Sequence, residues 1–356
     1  MTQHNPITLD PMSAQDTPMM AARAVSKLFA PTFGIGDRIA GWLGQEIDRR
    51  SVHAVDHVSL DLYSGEVLGL VGESGCGKST LGRMMAGIYP PTHGTIVFGD
   101  TPLMTPARQP VKTTTRVQMV FQDPFASLDP RVRIGDAIVE GPLCHGLVDQ
   151  AGVEAYVAHW LERVGLPKEA AGRFPHQFSG GQRQRVAIAR ALAMQPDVLI
   201  CDEPVASLDV SIQAQIINLF LKLKTELKLT MLFISHDLSV VRHISDRIAV
   251  MYLGRIVEEG PVLQVYERPR HPYTRALLDS IPRLVTESDD LVSFKAIKGE
   301  LPSPLSPPSG CHFHLRCPIA SDDCRSKIPV MHHGSEDSSG YYAFSIGSVM
   351  CHTPLG

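Results

Sequence analysis

The stretch Gly72-Glu73-Ser74-Gly75-Cys76-Gly77-Lys78-Ser79 limits what this chain can fold into more than any other. It fits G-x-x-x-x-G-K-[ST] and lies between the unbroken apolar run Val67–Val71 and a segment where Leu81, Met84, Met85 and Ile88 recur at i, i+3, i+4, i+7. The run predicts a strand buried on both faces, and the recurrence predicts a helix. A glycine-rich turn in that context aims backbone N–H groups at phosphate oxygens, and the helix start adds its dipole and unpaired donors. Lys78 can reach the outer phosphates and Ser79 can place its hydroxyl on Mg²⁺, with Thr80 next in line. A plain strand-to-helix turn would need none of this pattern, so the expectation is a nucleoside triphosphate site.

A second apolar run, 198–201, ends in the adjacent acids Asp202 and Glu203. Acids at the carboxyl end of a buried parallel strand face the ligand crevice. Asp202 is the expected Mg²⁺ partner, and Glu203 the residue that polarises an attacking water. Two acids capping the next element is the bland alternative, and the neighbouring phosphate motif weighs against it.

Further strand-like runs lie at 58–62, 117–121, 231–234 and 248–253, with a hairpin at 94–99. Helical patterns fill 131–195 and 212–227, and a short helix is expected at 273–280. Alternating strands and helices predict an α/β core with a parallel sheet covered on both sides. Residues 1–20 read as a polar, disordered leader, and 34–50 as an insertion that is helical around 39–47. From residue 282 prolines mark an extended linker, followed by a cysteine-bearing tail.

Bulk properties exclude some functions. With 33 Lys and Arg against 37 Asp and Glu, the net charge of -4 gives no nucleic-acid footprint. No run approaches the ~18 apolar residues of a spanning helix, and no signal peptide is expected, so a membrane role would come through partners.

A phosphate motif with two acids fits many nucleotide hydrolases; Phe178-Ser179-Gly180-Gly181-Gln182 narrows the choice. Serine and two glycines at a helix start make a second anion site. One chain has no use for two γ-phosphate cradles, whereas two facing chains do. Here the sequence resembles the ABC ATPase family, whose signature is Leu-Ser-Gly-Gly-Gln, with Phe178 in place of leucine. The resemblance covers about 21–265 and implies a P-loop core with a β subdomain and a helical signature subdomain at about 124–195. It implies that Gln122 is the glutamine sensing Mg²⁺ and water, that Asp209 in Ser207-Leu208-Asp209 contacts the opposite subunit, and that His236 holds the γ-phosphate. It also implies an aromatic stacked on adenine, for which Phe29 is the candidate.

His271-Pro272-Tyr273-Thr274 with Arg275-Ala276-Leu277-Leu278, and Phe121-Gln122-Asp123-Pro124 onward, resemble the oligopeptide/dipeptide importer ATPases. The extension then spans 266–356. The resemblance implies a second ATPase subunit (related or identical), two integral permeases contacting 124–143, an extracytoplasmic solute-binding protein, and residence at the cytoplasmic face of the plasma membrane. A soluble ABC-type ATPase of DNA repair or translation is the rival, and a P-loop kinase a more remote one. Neither the long coiled-coil insertion nor the paired ATPase units usual in the first are present.

Seven cysteines in 356 residues make no disulfide scaffold, but Cys311, Cys317, Cys324 and Cys351 crowd the tail. Four thiolates suit an iron–sulfur cluster or zinc. The resemblance to importer ATPases with a [4Fe-4S] cluster favours iron, with His312 or His314 as unfavoured substitutes. Four free cysteines in a small subdomain is the plainer reading.

Overall fold

In the computed structural model the chain is described over residues 17–31, 50–281, 297, 299–333 and 347–355. Most of the polar leader, all but the last residue of the 34–50 insertion and the start of the proline-marked linker lie outside these.

Strands β1 (Met20–Phe29) and β2 (Val52–Leu62) precede β3 (Val67–Val71), the helix α1 (Lys78–Met85), β4 (His93–Phe98), β5 (Thr101–Pro102) and β6 (Val117–Val120). A helical region follows, made of α2 (Pro124–Ser127), α3 (Ile134–Cys144), α4 (Val153–Arg163) and α5 (Gly180–Leu192). The chain then alternates through β7 (Val198–Asp202), α6 (Val210–Leu227), β8 (Thr230–Ile234), α7 (Leu238–Ile244) and β9 (Arg247–Tyr252). It continues with β10 (Arg255–Pro261), α8 (Val262–Glu267), α9 (Pro272–Asp279), α10 (Asp322–Ser326), β11 (Met331–His333) and β12 (Ser348–Met350).

The apolar runs became central strands, and their alternation sets the layers. Leu68, Leu70, Val198, Ile200, Leu232 and Ile234 pack on one face, with α1 and the antiparallel sheet β2-β1-β4-β5. Val67, Val71, Leu199, Cys201, Met231 and Phe233 pack on the other, against α6, α7 and the helical region. A strand with both faces covered has no polar side, which is why these runs are uninterrupted. Phe178 is 5 % exposed and belongs to this second core, so the signature's unusual residue serves packing.

Two expectations need correction. The main sheet, in the order β11-β12-β10-β9-β3-β8-β7-β6, is parallel only from β9 to β6. β10, β12 and β11 each pair antiparallel with their neighbours; for β10 the reason is local, because Leu253 (φ 40°) and Gly254 (φ 82°) form a two-residue reversal that can join only antiparallel strands. Ile88 is not on the helix with Leu81, Met84 and Met85. Gly87, at φ 71°, ends the helix and leaves Ile88 43 % exposed.

β12 and β11 come from the cysteine-bearing tail, so the tail extends the same sheet as the phosphate motif. Tyr273 and Phe313 are fully buried in the core shared with β3, β7 and β8.

Candidate nucleotide-binding and hydrolysis site

Residues 72–77 make the turn between β3 and α1. Gly72 sits at φ 156°, and a Cβ there would come within 2.1 Å of the Met251 carbonyl oxygen. At Gly77 (φ 109°) a Cβ would come within 2.1 Å of the Ala54 carbonyl oxygen. Only glycine permits either approach, so the turn is wedged between β2 and β9. Lys78 is 4 % exposed, and its Nζ donates to the carbonyls of Gly72 (2.8 Å) and Glu73 (3.0 Å), folding the ammonium over the loop. Burial pushes the Cys76 thiol up, so this cysteine is a packed, neutral group rather than a nucleophile.

Beside the turn lies a cavity of about 360 Å³ lined by Phe29, Val52, Ala54, Ser74, Gly75, Gly77, Lys78, Ser79, Thr80, Gln122, Glu203 and Pro304. Ser79 Oγ donates to Asp202 Oδ1 at 2.8 Å. Asp202 is 1 % exposed; its burial raises the carboxyl pKa, and the Ser79 hydrogen bond opposes that shift. A hydroxyl and a carboxylate so paired are hard oxygen donors, which fit Mg²⁺.

Glu203 is reached from two sides. Gln122 Nε2 donates to its Oε2 at 3.0 Å, and His236 Nδ1 lies 3.2 Å from the same oxygen. Glu203 itself is at φ 45°, with its N–H donating to the Ile234 carbonyl at 3.0 Å. A non-glycine residue there costs on the order of 1–3 kcal/mol, and such strain clusters at functional sites. β6, β7 and β8 end at the same edge of the sheet, which is how residues 122, 203 and 236 meet.

The serine–glycine turn is elsewhere. Ser179 caps α5, its Oγ accepting from the Gln182 N–H at 3.4 Å while Gln182 Oε1 accepts from the Ser179 N–H at 3.1 Å. Gly181 has no room for a Cβ, which would lie 2.5 Å from Ile212. Ser179, Gln182 and Asp209 are exposed, beside Val210, which is 82 % exposed, and none of them lines the 360 Å³ cavity. Phe29 does line it, edge-on to Tyr89 with ring centroids 5.8 Å apart.

The cysteines share the small C-terminal segment: the Cys311 N–H donates to the Cys324 carbonyl at 2.8 Å. Burial pushes the Cys311 thiol to about 11, with Cys324, Cys351 and Cys317 adding to the shift, so the four lie within electrostatic reach of one another. Among the described residues no three His, Cys, Asp or Glu side chains gather as metal ligands.

Sequence reasoning missed Val52, Ala54 and Pro304 as cavity walls. The first two could have been inferred from the return of β-branched and alternating residues after the insertion. Nothing around Pro304 signals its position.

A phosphate loop on a buried strand, with an acid pair two strands over, defines a P-loop nucleoside triphosphatase. Residues 55–206 match the ABC transporter family, and 257–324 match the oligopeptide/dipeptide transporter C-terminal region. The chain is 49 % identical over 321 residues to the oligopeptide transport ATP-binding protein AppF of Bacillus subtilis, covering 89 % of this chain and 94 % of that one. It is 51 % identical over 303 residues to a putative peptide import ATP-binding protein of Brucella abortus, covering 84 % and 87 %. Among solved structures, cbiO1 of Clostridium perfringens, part of the ABC transporter complex cbiONQ, aligns with a TM-score of 0.57 at 27 % identity, over 71 % of this chain and 92 % of that one. The ATP-binding cassette MJ0796, as a dimer bound to ADP and Pi, aligns with a TM-score of 0.55 at 26 % identity, over 68 % and 99 %. The chain belongs to the ABC transporter ATP-binding proteins, in the oligopeptide/dipeptide group.

Proposed function

We propose that this chain is the ATP-hydrolysing subunit that energises a membrane importer of di- or oligopeptides. The observation that carries the hydrolytic reading is the convergence of Gln122 and His236 on one oxygen of Glu203, beside the Ser79–Asp202 pair. Mg²⁺, bound with ATP at Ser79 and Asp202, supplies charge neutralisation on the phosphates. The turn 72–77 and the first N–H groups of α1 cradle the phosphates, and Lys78 turns from the loop carbonyls to the outer oxygens. Thr80 lines the phosphate end, and Phe29 carries the base. Glu203, oriented by Gln122, accepts a proton from the attacking water, while His236 holds the γ-phosphate.

Ser179, Gly180, Gly181, Gln182 and Asp209 complete the site of a second chain, identical or related. The exposure of Ser179, Gln182 and Asp209, away from the chain's own cavity, supports this. The cap uses the Ser179 oxygen as acceptor and leaves its O–H to donate. Two chains closed over two nucleotides differ in ATP affinity from two separated ones, and that difference is what drives the permeases between states.

The permease contact is assigned to a larger cavity of about 960 Å³, lined in part by Phe121, Ser127, Ala137, Ile138, Arg190 and Met194. It overlaps the expected 124–143 segment. Among the described residues no helix is long and apolar enough to cross a membrane, which fits a peripheral subunit. That subunit is placed at the cytoplasmic face, with an extracytoplasmic solute-binding protein serving the permeases. Cys311, Cys317, Cys324 and Cys351 are proposed as ligands of a soft metal centre, iron–sulfur ahead of zinc, on the strength of their shared segment and mutual influence. Iron and zinc analysis of anaerobically purified protein tests this, and a colourless, metal-free sample overturns it.

For the function itself, the chain co-expressed with peptide-importer permeases of its own source should co-purify with them and show Mg²⁺-dependent ATPase activity stimulated by peptide and its binding protein. Full turnover by an isolated monomer, indifferent to permeases, overturns the reading.

A further inference from the structure

The C-terminal tail reaches the nucleotide site at two points. Arg316, its side chain 4 % exposed, pairs with Glu73 inside the phosphate loop through both guanidinium nitrogens: Nη1 to Oε2 at 2.6 Å and Nη2 to Oε1 at 2.9 Å. The guanidinium carbon stands 5.8 Å from the centroid of the Tyr252 ring. Tyr252, Tyr273 and Phe313 pack mutually, with centroids 4.6 to 5.3 Å apart, so the arginine rests on an aromatic floor built from β9, α9 and the tail. Tyr273 Oη accepts the Glu73 N–H at 2.9 Å. The loop residue whose carbonyl receives Lys78 is therefore held at its side chain by Arg316 and at its amide by Tyr273. At the other end, the Pro304 carbonyl accepts the His53 N–H at 2.9 Å, and Pro304 lines the 360 Å³ cavity together with Val52 and Ala54.

We infer that the C-terminal extension is a working part of the nucleotide site, in which Arg316 is a positioning residue that fixes the phosphate loop through Glu73 and Pro304 closes the base end of the cavity. This rests on the nucleotide-site reading above. A loop that presents N–H groups to phosphate must be ordered before ATP arrives; otherwise ordering it is charged against affinity. A bidentate, half-buried arginine–carboxylate pair is stiff as well as attractive, because the fork geometry permits one orientation. Arg316 is not among the residues lining the 360 Å³ cavity, so its effect falls on ATP affinity rather than on the chemical step.

The test uses the full chain with its permeases and a fluorescent ATP analogue. Arg316→Ala is expected to weaken ATP binding and raise the ATP KM about tenfold, the size common for outer-shell partners, with kcat at saturating ATP within about twofold of the parent. Arg316→Lys should recover part of the affinity, and the reversed pair Glu73→Arg with Arg316→Glu most of it. Should Arg316→Ala fail to fold, the reversed pair and Glu73→Gln carry the test, the latter with about a threefold rise in KM. Pro304→Gly should weaken binding further in the Arg316→Ala background. Lys78→Ala separates the two readings. If Lys78→Ala abolishes binding while folded Arg316→Ala and Glu73→Gln bind like the parent, the inference is overturned and the nucleotide site stands. If Lys78→Ala binds normally, the nucleotide site itself is misassigned and the inference falls with it.

Discussion

The phosphate loop and the serine–glycine turn are both places where a helix begins behind glycines, yet their surroundings differ completely. The first is enclosed: Lys78 and Asp202 are buried, and the loop is gripped by β2, β9 and the C-terminal tail. The second stands at the surface, where Ser179 and Gln182 close a capping box on each other. The contrast is what the proposal rests on: one anion site is assembled by folding, and the other is proposed to serve a second chain. Four experiments can break or sharpen that contrast.

The largest effect is expected at the enclosed site. Glu203→Gln keeps the hydrogen bond with Gln122 and the loop contacts but loses the proton acceptor, so kcat should fall by about 10²–10⁴ with ATP binding retained. Pre-steady-state and equilibrium binding measurements separate the two, and turnover within tenfold of the parent would remove Glu203 from its role.

At the exposed site, Ser179→Asp keeps an N-cap acceptor and so keeps α5. It also sets a negative charge against the partner's γ-phosphate, which should lower turnover about 10- to 100-fold, each factor of ten being about 1.4 kcal/mol. Nucleotide binding by an isolated subunit should not change. Equal loss of binding in the isolated subunit would mean the turn serves its own chain, and the contrast between the regions would collapse.

The support of the enclosed site should be acid-labile. His271 is 1 % exposed, and its burial lowers the pKa from 6.5 to about 3. The unfolded chain binds that proton more readily, so stability is complete above about 6.5 and is lost as pH falls through the window toward 3. The slope is up to about 1.4 kcal/mol per pH unit. Urea unfolding at neutral pH and about one unit below pH 6.5 measures it. His271→Asn keeps an acceptor for the Tyr273 N–H and should flatten the slope; an unchanged slope would assign acid lability to other groups.

The smallest effect belongs to the base. Phe29→Ala should raise the ATP KM about fivefold, the loss of roughly 1 kcal/mol of stacking. An unchanged KM would leave the base to Val52, Ala54 and Pro304.

Legibility followed the distance over which the information travels. β3, β7 and β8 were readable because burial on both faces demands a continuous apolar run, and the phosphate loop because its glycines answer close backbone approaches. The antiparallel edge was not readable, since β10 follows from a two-residue reversal at Leu253 and Gly254 and β12 and β11 come from a distant tail. The cysteines were readable as a cluster in sequence, but their spacing carries no information about whether the sulfurs meet.

What the sequence by itself determined is the local chemistry: a loop that must bind phosphate, two acids at a strand end, a capped serine at a helix start. Each is specified by neighbours a few residues apart, where backbone geometry and side-chain reach leave little choice. Only the tertiary structure decided that Gln122, Glu203 and His236 meet at one oxygen, and that Arg316 grips Glu73 across 243 positions of chain. Such pairings arise because three parallel strands end at one sheet edge and a tail adds strands to the other, and no local pattern encodes where a distant segment will dock.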